Sequence, residues 1–146
     1  MSYDPAWWDV EREVFDATAP DRRIIELIPI PDVEWGAEES LYPVTTPAQV
    51  EVATRIGRYW KNETRYGSTP VIEVASPTRV TLLIKSTAGT MAPLAGGGVE
   101  MEQPRDHWVL TWVWLHPFER SGRSNEWWPA LEKEFGDFGT LSVSLR

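Results

Sequence analysis

Apolar residues recur at helical spacing near the start of the chain. Over residues 5–17 they fall three or four positions apart, which places them on one face of a helix. Asp4 followed by Pro5 is typical of a helix start, because the carboxylate caps free amides and proline fits the first turn. The pattern predicts a helix over residues 5–17, and the apolar positions that indicate it are Trp7, Val10 and Val14.

The clearest helical pattern begins within the run "TTPAQ". Thr46 and Gln49 have the spacing of a capping box, and Pro47 occupies the first helical position. Val52, Ile56 and Tyr59 follow on one face, so a helix is predicted over residues 47–62.

A third helix is predicted near the end of the chain, over residues 126–135. Pro129 has to lie in its first turn, and Gly136 is a natural C-terminal cap.

Short runs rich in β-branched and aromatic residues predict strands between these helices. The glycine-rich segment 88–98 is instead interpreted as a flexible connector. The predicted strands span residues 22–28, 33–35, 71–75, 79–85, 99–103, 107–115 and 141–145.

This order of elements has consecutive strands in the middle, which is unlike a regular series of βαβ units. We therefore predict a single α+β domain over residues 1–146, with a mostly antiparallel sheet and about three helices packed on it. A chain of 146 residues fits one domain of common size.

The run "HWVLTWVWLHP" contains several of the nine tryptophans of the chain. Simple alternation places Trp108, Leu110, Trp112 and Trp114 on one face, and Val109, Thr111, Val113 and Leu115 on the other. Both sets are largely apolar, which predicts a central strand covered on both sides. Three roles for the indoles stay open, namely core filling, lining of a ligand pocket and contact with another protein.

Composition excludes several chemistries. The chain has no cysteine, which rules out disulfides, thiol nucleophiles and thiolate metal sites. The first residues, "MSYDPAWW", lack the pattern of a signal peptide, and no apolar stretch is long enough to span a membrane. We therefore expect a cytoplasmic protein.

The net charge of −8 limits the partners of the chain. Residues 1–51 carry 12 acids and 3 bases, whereas residues 52–85 carry 2 acids and 6 bases. Duplex nucleic acid and anionic membranes are disfavoured, because both need cations on the protein. A basic protein partner is favoured.

Catalytic motifs are not evident. His107 and His116 would bracket one strand, too far apart to share a metal, and no spacing typical of a zinc site or an activated serine is present. We therefore expect neither a metal nor a cofactor. Arg55, Arg58 and Lys61 lie along one side of a helix with Arg65 after it; an anion site and an ion-paired helix face are alternative interpretations.

These features favour a non-catalytic protein-interaction module, such as an acidic inhibitor or immunity-type protein that binds a basic partner. One alternative is a small-molecule binding protein with a tryptophan-lined apolar pocket. The other is a hydrolase or transferase of unfamiliar type that uses His107 or His116 with nearby acids. The candidate contact residues are Trp7, Trp8, Trp35, Trp112, Trp114, Trp127 and Trp128.

Overall fold

A six-stranded sheet organises the α+β fold of the chain in this computed structural model. The structure describes residues 26–34, 36–65, 67–87, 93–120 and 126–140. In chain order the elements are β1 (Ile28–Pro29), β2 (Leu41–Pro43), α1 (Pro47–Thr64), β3 (Arg79–Lys85), β4 (Leu94–Glu102), β5 (Val109–Leu115), a 3-10 turn (Pro117–Arg120), α2 (Trp127–Phe135) and β6 (Gly139–Thr140).

The sheet is mixed, with the strand order β2-β3-β4-β5-β6 and β1 beside β4. Every pairing is antiparallel except that of β5 with β6, which is parallel. The predicted class therefore holds. The described ranges contain two α-helices rather than three, and the helix predicted over residues 5–17 lies outside them.

Local capping explains why α1 begins where the sequence predicts. The amide of Gln49 donates to the Thr46 hydroxyl at 3.3 Å, and the Thr46 amide donates to the Gln49 side chain at 3.2 Å. These two bonds form the predicted capping box, with Pro47 at the first helical position. Arg65 ends the helix in a left-handed conformation, with φ of 58°.

The glycine run belongs to a central strand, so the prediction of a connector over residues 88–98 is wrong from Leu94 onward. A Cβ on Gly97 would lie 2.3 Å from the carbonyl oxygen of Trp114, and one on Gly98 would lie 3.1 Å from Ile56. The glycines therefore let β5 and α1 approach the backbone of β4 closely. The requirement for glycine at these positions comes from tertiary packing, whereas the sequence pattern suggests only flexibility.

Simple alternation along β5 is also wrong. Glu100 of β4 pairs with Trp112, and the next residue, Met101, pairs with Leu110, so Thr111 is an extra residue in a β-bulge. Because of the bulge, the alternation of side chains between the two faces of the sheet shifts by one residue at Thr111. Trp112 and Trp114 therefore face α1, whereas Leu110 and Trp108 pack with the residues beneath α2.

The two faces of the sheet carry separate apolar clusters, and β5 contributes to both, as expected of a central strand. Between the sheet and α1 lies a cluster that includes Ile56, Tyr59, Trp60, Leu83, Trp112 and Trp114. On the other face, α2 covers a cluster that includes Leu82, Val99, Met101, Leu110, Val113 and Leu131.

The remaining strand predictions have mixed outcomes. Strand β3 and helix α2 lie close to the predicted ranges, and β5 occupies most of residues 107–115. Residues 71–75 form no strand, neither do Val33 and Glu34, and β2 lies in a region interpreted as a loop. Of the strand predicted over residues 22–28, only Ile28 lies in a described strand; residues 22–25, Trp35 and residues 141–145 lie outside the described part.

Candidate interaction surface

The structure separates the candidate tryptophans by burial. Trp112 and Trp114 are 3% and 4% exposed, and Trp127 is 9% exposed. Trp128 is half-buried. Trp7, Trp8 and Trp35 lie outside the described residues. Among the candidates that the structure describes, Trp128 therefore has the most surface available to a partner.

Trp112 and Trp114 pack inside the cluster beneath α1. The ring of Trp114 lies 5.1 Å from that of Tyr59, and the ring of Trp112 lies 6.0 Å from that of Trp60. The guanidinium of Arg120 stands 5.6 Å from the centre of the Trp114 ring. These contacts fill the volume between helix and sheet, which is the structural role that large aromatic side chains take in cores.

Four half-buried aromatic residues lie on or near α2 and contact one another in two pairs. The Trp108 ring meets Phe135 edge-on at 4.9 Å, and the Trp128 ring lies 5.3 Å from Phe138. Trp128 also contacts Trp127, which is buried beneath it, at 5.4 Å. We call the set of Trp108, Trp128, Phe135 and Phe138 the α2 aromatic surface.

Local sequence explains how these rings come together. Adjacent residues on a helix point about 100° apart. Trp127 therefore faces the sheet, whereas the Trp128 side chain lies at the border of the contact between α2 and the sheet. Gly136 ends α2, with its amide bonded to the carbonyl of Glu132 at 2.8 Å. The Gly139 amide then donates to the Trp108 carbonyl at 3.0 Å, which holds the chain after α2 against β5.

Exposed acidic side chains lie on the same segment as three of these rings. Residues 126–138 carry four acids and a single base, Lys133, and all five charged side chains are exposed. The acids are Glu126, Glu132, Glu134 and Asp137. Exposed Asp106 lies two residues before Trp108, and its hydrogen bond to His107 lowers the pKa of its carboxyl. The formal charge of residues 126–138 is therefore −3 at neutral pH, from four acids and one base.

The two faces of the sheet are covered unequally. Helix α1 has 18 residues and α2 has 9, so α2 shields a smaller part of its face. Large apolar side chains are left half-buried around it. They are Leu41, Val80, Trp108, Leu115, Trp128, Phe135 and Phe138. Half-exposed aromatic rings grouped in this way are typical of protein-binding surfaces.

The two histidines do not converge. His107 is exposed two residues before β5 and bonds to Asp106 at 3.1 Å, whereas His116 is 1% exposed and directly follows the strand. No group of three histidine, aspartate or glutamate residues in the described ranges is arranged to hold a metal ion.

A buried polar cluster does lie beside His116. The Ser86 hydroxyl donates to the Glu119 carboxylate at 2.6 Å, and the Thr87 amide donates to the same oxygen at 2.8 Å. Ser86 and Glu119 are both buried. The cluster ties the 3-10 turn to the end of β3, which is a structural task.

The basic residues of α1 do not share one surface. Arg55 is buried and donates to the Tyr59 hydroxyl at 3.2 Å, Arg58 and Lys61 are half-buried, and Arg65 is exposed. Because these side chains differ in burial, we interpret them as residues of a helix face that make separate contacts, and not as one common anion site.

Sequence reasoning missed three members of the α2 aromatic surface, namely Trp108, Phe135 and Phe138. Trp128 and Phe135 are seven residues apart, a spacing that predicts one helix face. The contribution of Trp108 depends on the bulge at Thr111, for which the alternation pattern contains no signal.

Comparison with known proteins gives no relative: no family model matches the chain, and neither a curated protein nor a solved structure is similar to it. Within the described ranges, no helix has both the length and the apolar character needed to cross a membrane.

Proposed function

We propose that the protein is a non-catalytic interaction module that binds a basic protein through the α2 aromatic surface. One observation carries the proposal: half-buried aromatic rings contact one another in two pairs, and exposed acids lie on the segment that carries three of these rings. Neither feature is sufficient alone, because single exposed aromatics and acidic helices are both common.

Each feature supplies a different part of binding. Aromatic rings that become desolvated in an interface dominate affinity and slow dissociation. Surrounding acids accelerate encounter with a basic partner and disfavour acidic competitors. Lysine and arginine side chains also interact favourably with aromatic faces, so Trp128 offers a basic partner both an apolar contact and a cation–π contact.

The proposal includes a biological subtype, an acidic inhibitor or immunity-type protein that neutralises a basic toxin or nuclease. Its support is the net charge of −8 and the exposed acids on the segment that carries Trp128, Phe135 and Phe138. Cytoplasmic location is part of the same proposal and is supported by the lack of cysteine, which is compatible with a reducing compartment.

Paired charge reversals test the proposed surface. The variant Glu132→Lys with Glu134→Lys changes exposed acids of α2, and Glu34→Lys with Glu51→Lys makes the same change in net charge elsewhere on the exposed surface. We expect the α2 variant to lose a stoichiometric basic partner from a lysate of the source cell, while the control variant retains it. Dissociation constants for that partner, measured at two salt concentrations, quantify the difference.

Equal weakening by both variants would contradict the proposal, because it would show a dependence on net charge alone. Failure of the unmodified protein to retain a basic partner at stoichiometric amounts would do so as well. Circular dichroism of both variants checks that the fold is intact.

A further inference from the structure

A segment between α1 and β3 has the composition of a strand without the pairing of one. Residues Val71–Ala75 read "VIEVA", rich in the β-branched residues that favour strands. Val71 and Val74 are 68% and 49% exposed, and they are the large hydrophobic residues that stand out as exposed in the described part. Ile72 between them is buried in the cluster beneath α1.

Both ends of this segment are attached to the sheet. The Ala75 amide donates to the Val44 carbonyl at 2.8 Å, and Val44 itself pairs with Thr81 of β3. The Arg79 guanidinium donates to the Val71 carbonyl and also pairs with the buried carboxylate of Glu100 at 2.9 Å. The two ends of the segment are therefore attached beside the start of β3 and the chain that follows β2.

Between these attachments the backbone is unpaired. Within the described part of the chain, the amides and carbonyls of Ile72, Glu73 and Val74 make no hydrogen bond. Unpaired backbone groups beside the margin of a sheet are a template for the addition of another strand.

We propose that Val71–Ala75 is a strand-addition site for an extended, basic segment of a partner protein. When the segment pairs as a strand, the backbone groups of alternate residues point the same way, so those of Ile72 and Val74 point away from the side on which the Ala75 amide is bonded. Hydrogen bonds to these two residues supply affinity, and the exposed valines contact apolar residues of the added strand. A lysine or arginine opposite Glu73 supplies selectivity, because opposite charges directly across a strand pair are favourable.

The charge of Glu73 argues against a second copy of this chain as the occupant. Antiparallel self-pairing over all five residues would place Glu73 opposite Glu73, and like charges at such positions are destabilising. Two copies would also bring together chains that each carry a net charge of −8.

Synthetic peptides test the proposal with defined probes. The first is a capped peptide of alternating lysine and valine. The second has the same sequence with alternate backbone amides methylated, which removes hydrogen-bond donors and leaves charge unchanged. The third replaces lysine by glutamate. We expect the unmodified lysine peptide to bind, to slow hydrogen exchange at Ile72 and Val74 and to bind at least about fivefold more tightly than either of the others.

Protein variants supply the matched controls. Glu73→Lys is expected to reverse the preference between the lysine and glutamate peptides, whereas Glu51→Lys makes the same charge change on α1 and is expected to preserve it. Val74→Pro removes one exposed amide donor and is expected to weaken the lysine peptide about fivefold without changing the far-ultraviolet circular dichroism.

Three results would overturn the proposal. They are equal binding of the methylated and unmodified lysine peptides, the same effect of Glu73→Lys and Glu51→Lys, and exchange protection at Ile72 and Val74 that rises with protein concentration in the absence of peptide. The last result would assign the segment to self-association. The variant of Glu132 and Glu134 leaves these peptide measurements unchanged, so failure here is distinguishable from failure of the α2 aromatic surface.

Discussion

Leu110 and Trp112 lie two positions apart in β5, and yet their side chains point to opposite faces of the sheet. The bulge at Thr111 produces this reversal, and a hydrogen bond holds the bulged residue. The Thr111 hydroxyl donates to the Glu100 carboxylate at 2.6 Å, and the other oxygen of that carboxylate accepts from Arg79. The buried Glu100 of β4 is thereby hydrogen-bonded to the residue at which the side chains of β5 change face.

Thr111→Val tests this link, because valine keeps the branched shape and removes the hydroxyl. Glu100 is buried, so loss of one donor leaves part of its carboxylate unsatisfied. We expect the free energy of unfolding to fall by about 1–3 kcal/mol in urea titrations. Thr54→Val on α1 is the matched control and is expected to change stability by less than about 0.5 kcal/mol. Equal effects of the two substitutions would show that the bond contributes nothing.

Gly97→Ala tests the close approach of β4 and β5. The added Cβ would lie 2.3 Å from the carbonyl oxygen of Trp114, a backbone atom that cannot move without disturbing the ladder. We expect a loss of about 3 kcal/mol or more in unfolding free energy. Gly67→Ala is the control, since nothing lies within 4 Å of its Cβ position. A small cost at Gly97 would mean that the two strands separate easily.

Helix α1 was predictable because its signals are local. Thr46, Pro47 and Gln49 act within one turn, and the apolar positions of the helix recur at its own period. Strand β4 was not predictable in this way. Its glycines are required by the positions of Trp114 and Ile56, which come from elsewhere in the chain, and the same residues in isolation favour flexibility.

The candidate surface was predictable only in part, for a similar reason. The adjacent pair Trp127–Trp128 indicates one buried indole and one partly exposed indole, and the structure shows that difference in burial. The contacts of Trp128 with Phe138, and of Trp108 with Phe135, join residues whose proximity depends on the chain reversal after α2 and on the bulge. Periodicity within one element carries no information about either.

Tyr42 provides a test of electrostatics at alkaline pH. Burial, followed by the nearby negative charge of Glu39, raises the pKa of its phenol above the usual value of 10.0. The folded state therefore holds the phenolic proton more tightly than the unfolded state. The associated stability is fully present below pH 10.0 and is lost as pH rises through the raised pKa.

Tyr42→Phe removes this titration and leaves the ring. We expect the stability difference between the original protein and this variant to be constant below pH 10.0 and to shift in favour of phenylalanine above it. Urea unfolding across that range measures the difference. Glu39→Gln removes a charge that raises the pKa, so it is expected to make the alkaline loss smaller. A difference that does not vary with pH would contradict the assignment.

Trp128 and Trp112 are expected to respond differently to truncation, and the difference separates binding from folding. Trp112→Ala empties a site that is 3% exposed in the cluster beneath α1, so it is expected to cost about 3–5 kcal/mol of stability. Trp128→Ala removes a half-buried ring of the α2 aromatic surface, for which we expect a cost of about 1–2 kcal/mol.

Affinity for the basic partner should show the opposite order. Truncation of a central interface aromatic costs about 2 kcal/mol or more, so Trp128→Ala is expected to weaken binding at least about thirtyfold. Trp112→Ala is expected to bind normally under conditions in which it remains folded, because its ring is covered by Trp60. Calorimetric titration of both variants, beside urea unfolding curves, measures the two effects separately. Normal binding by Trp128→Ala would show that Trp128 does not contribute to the affinity, which would contradict the proposed role of the α2 aromatic surface.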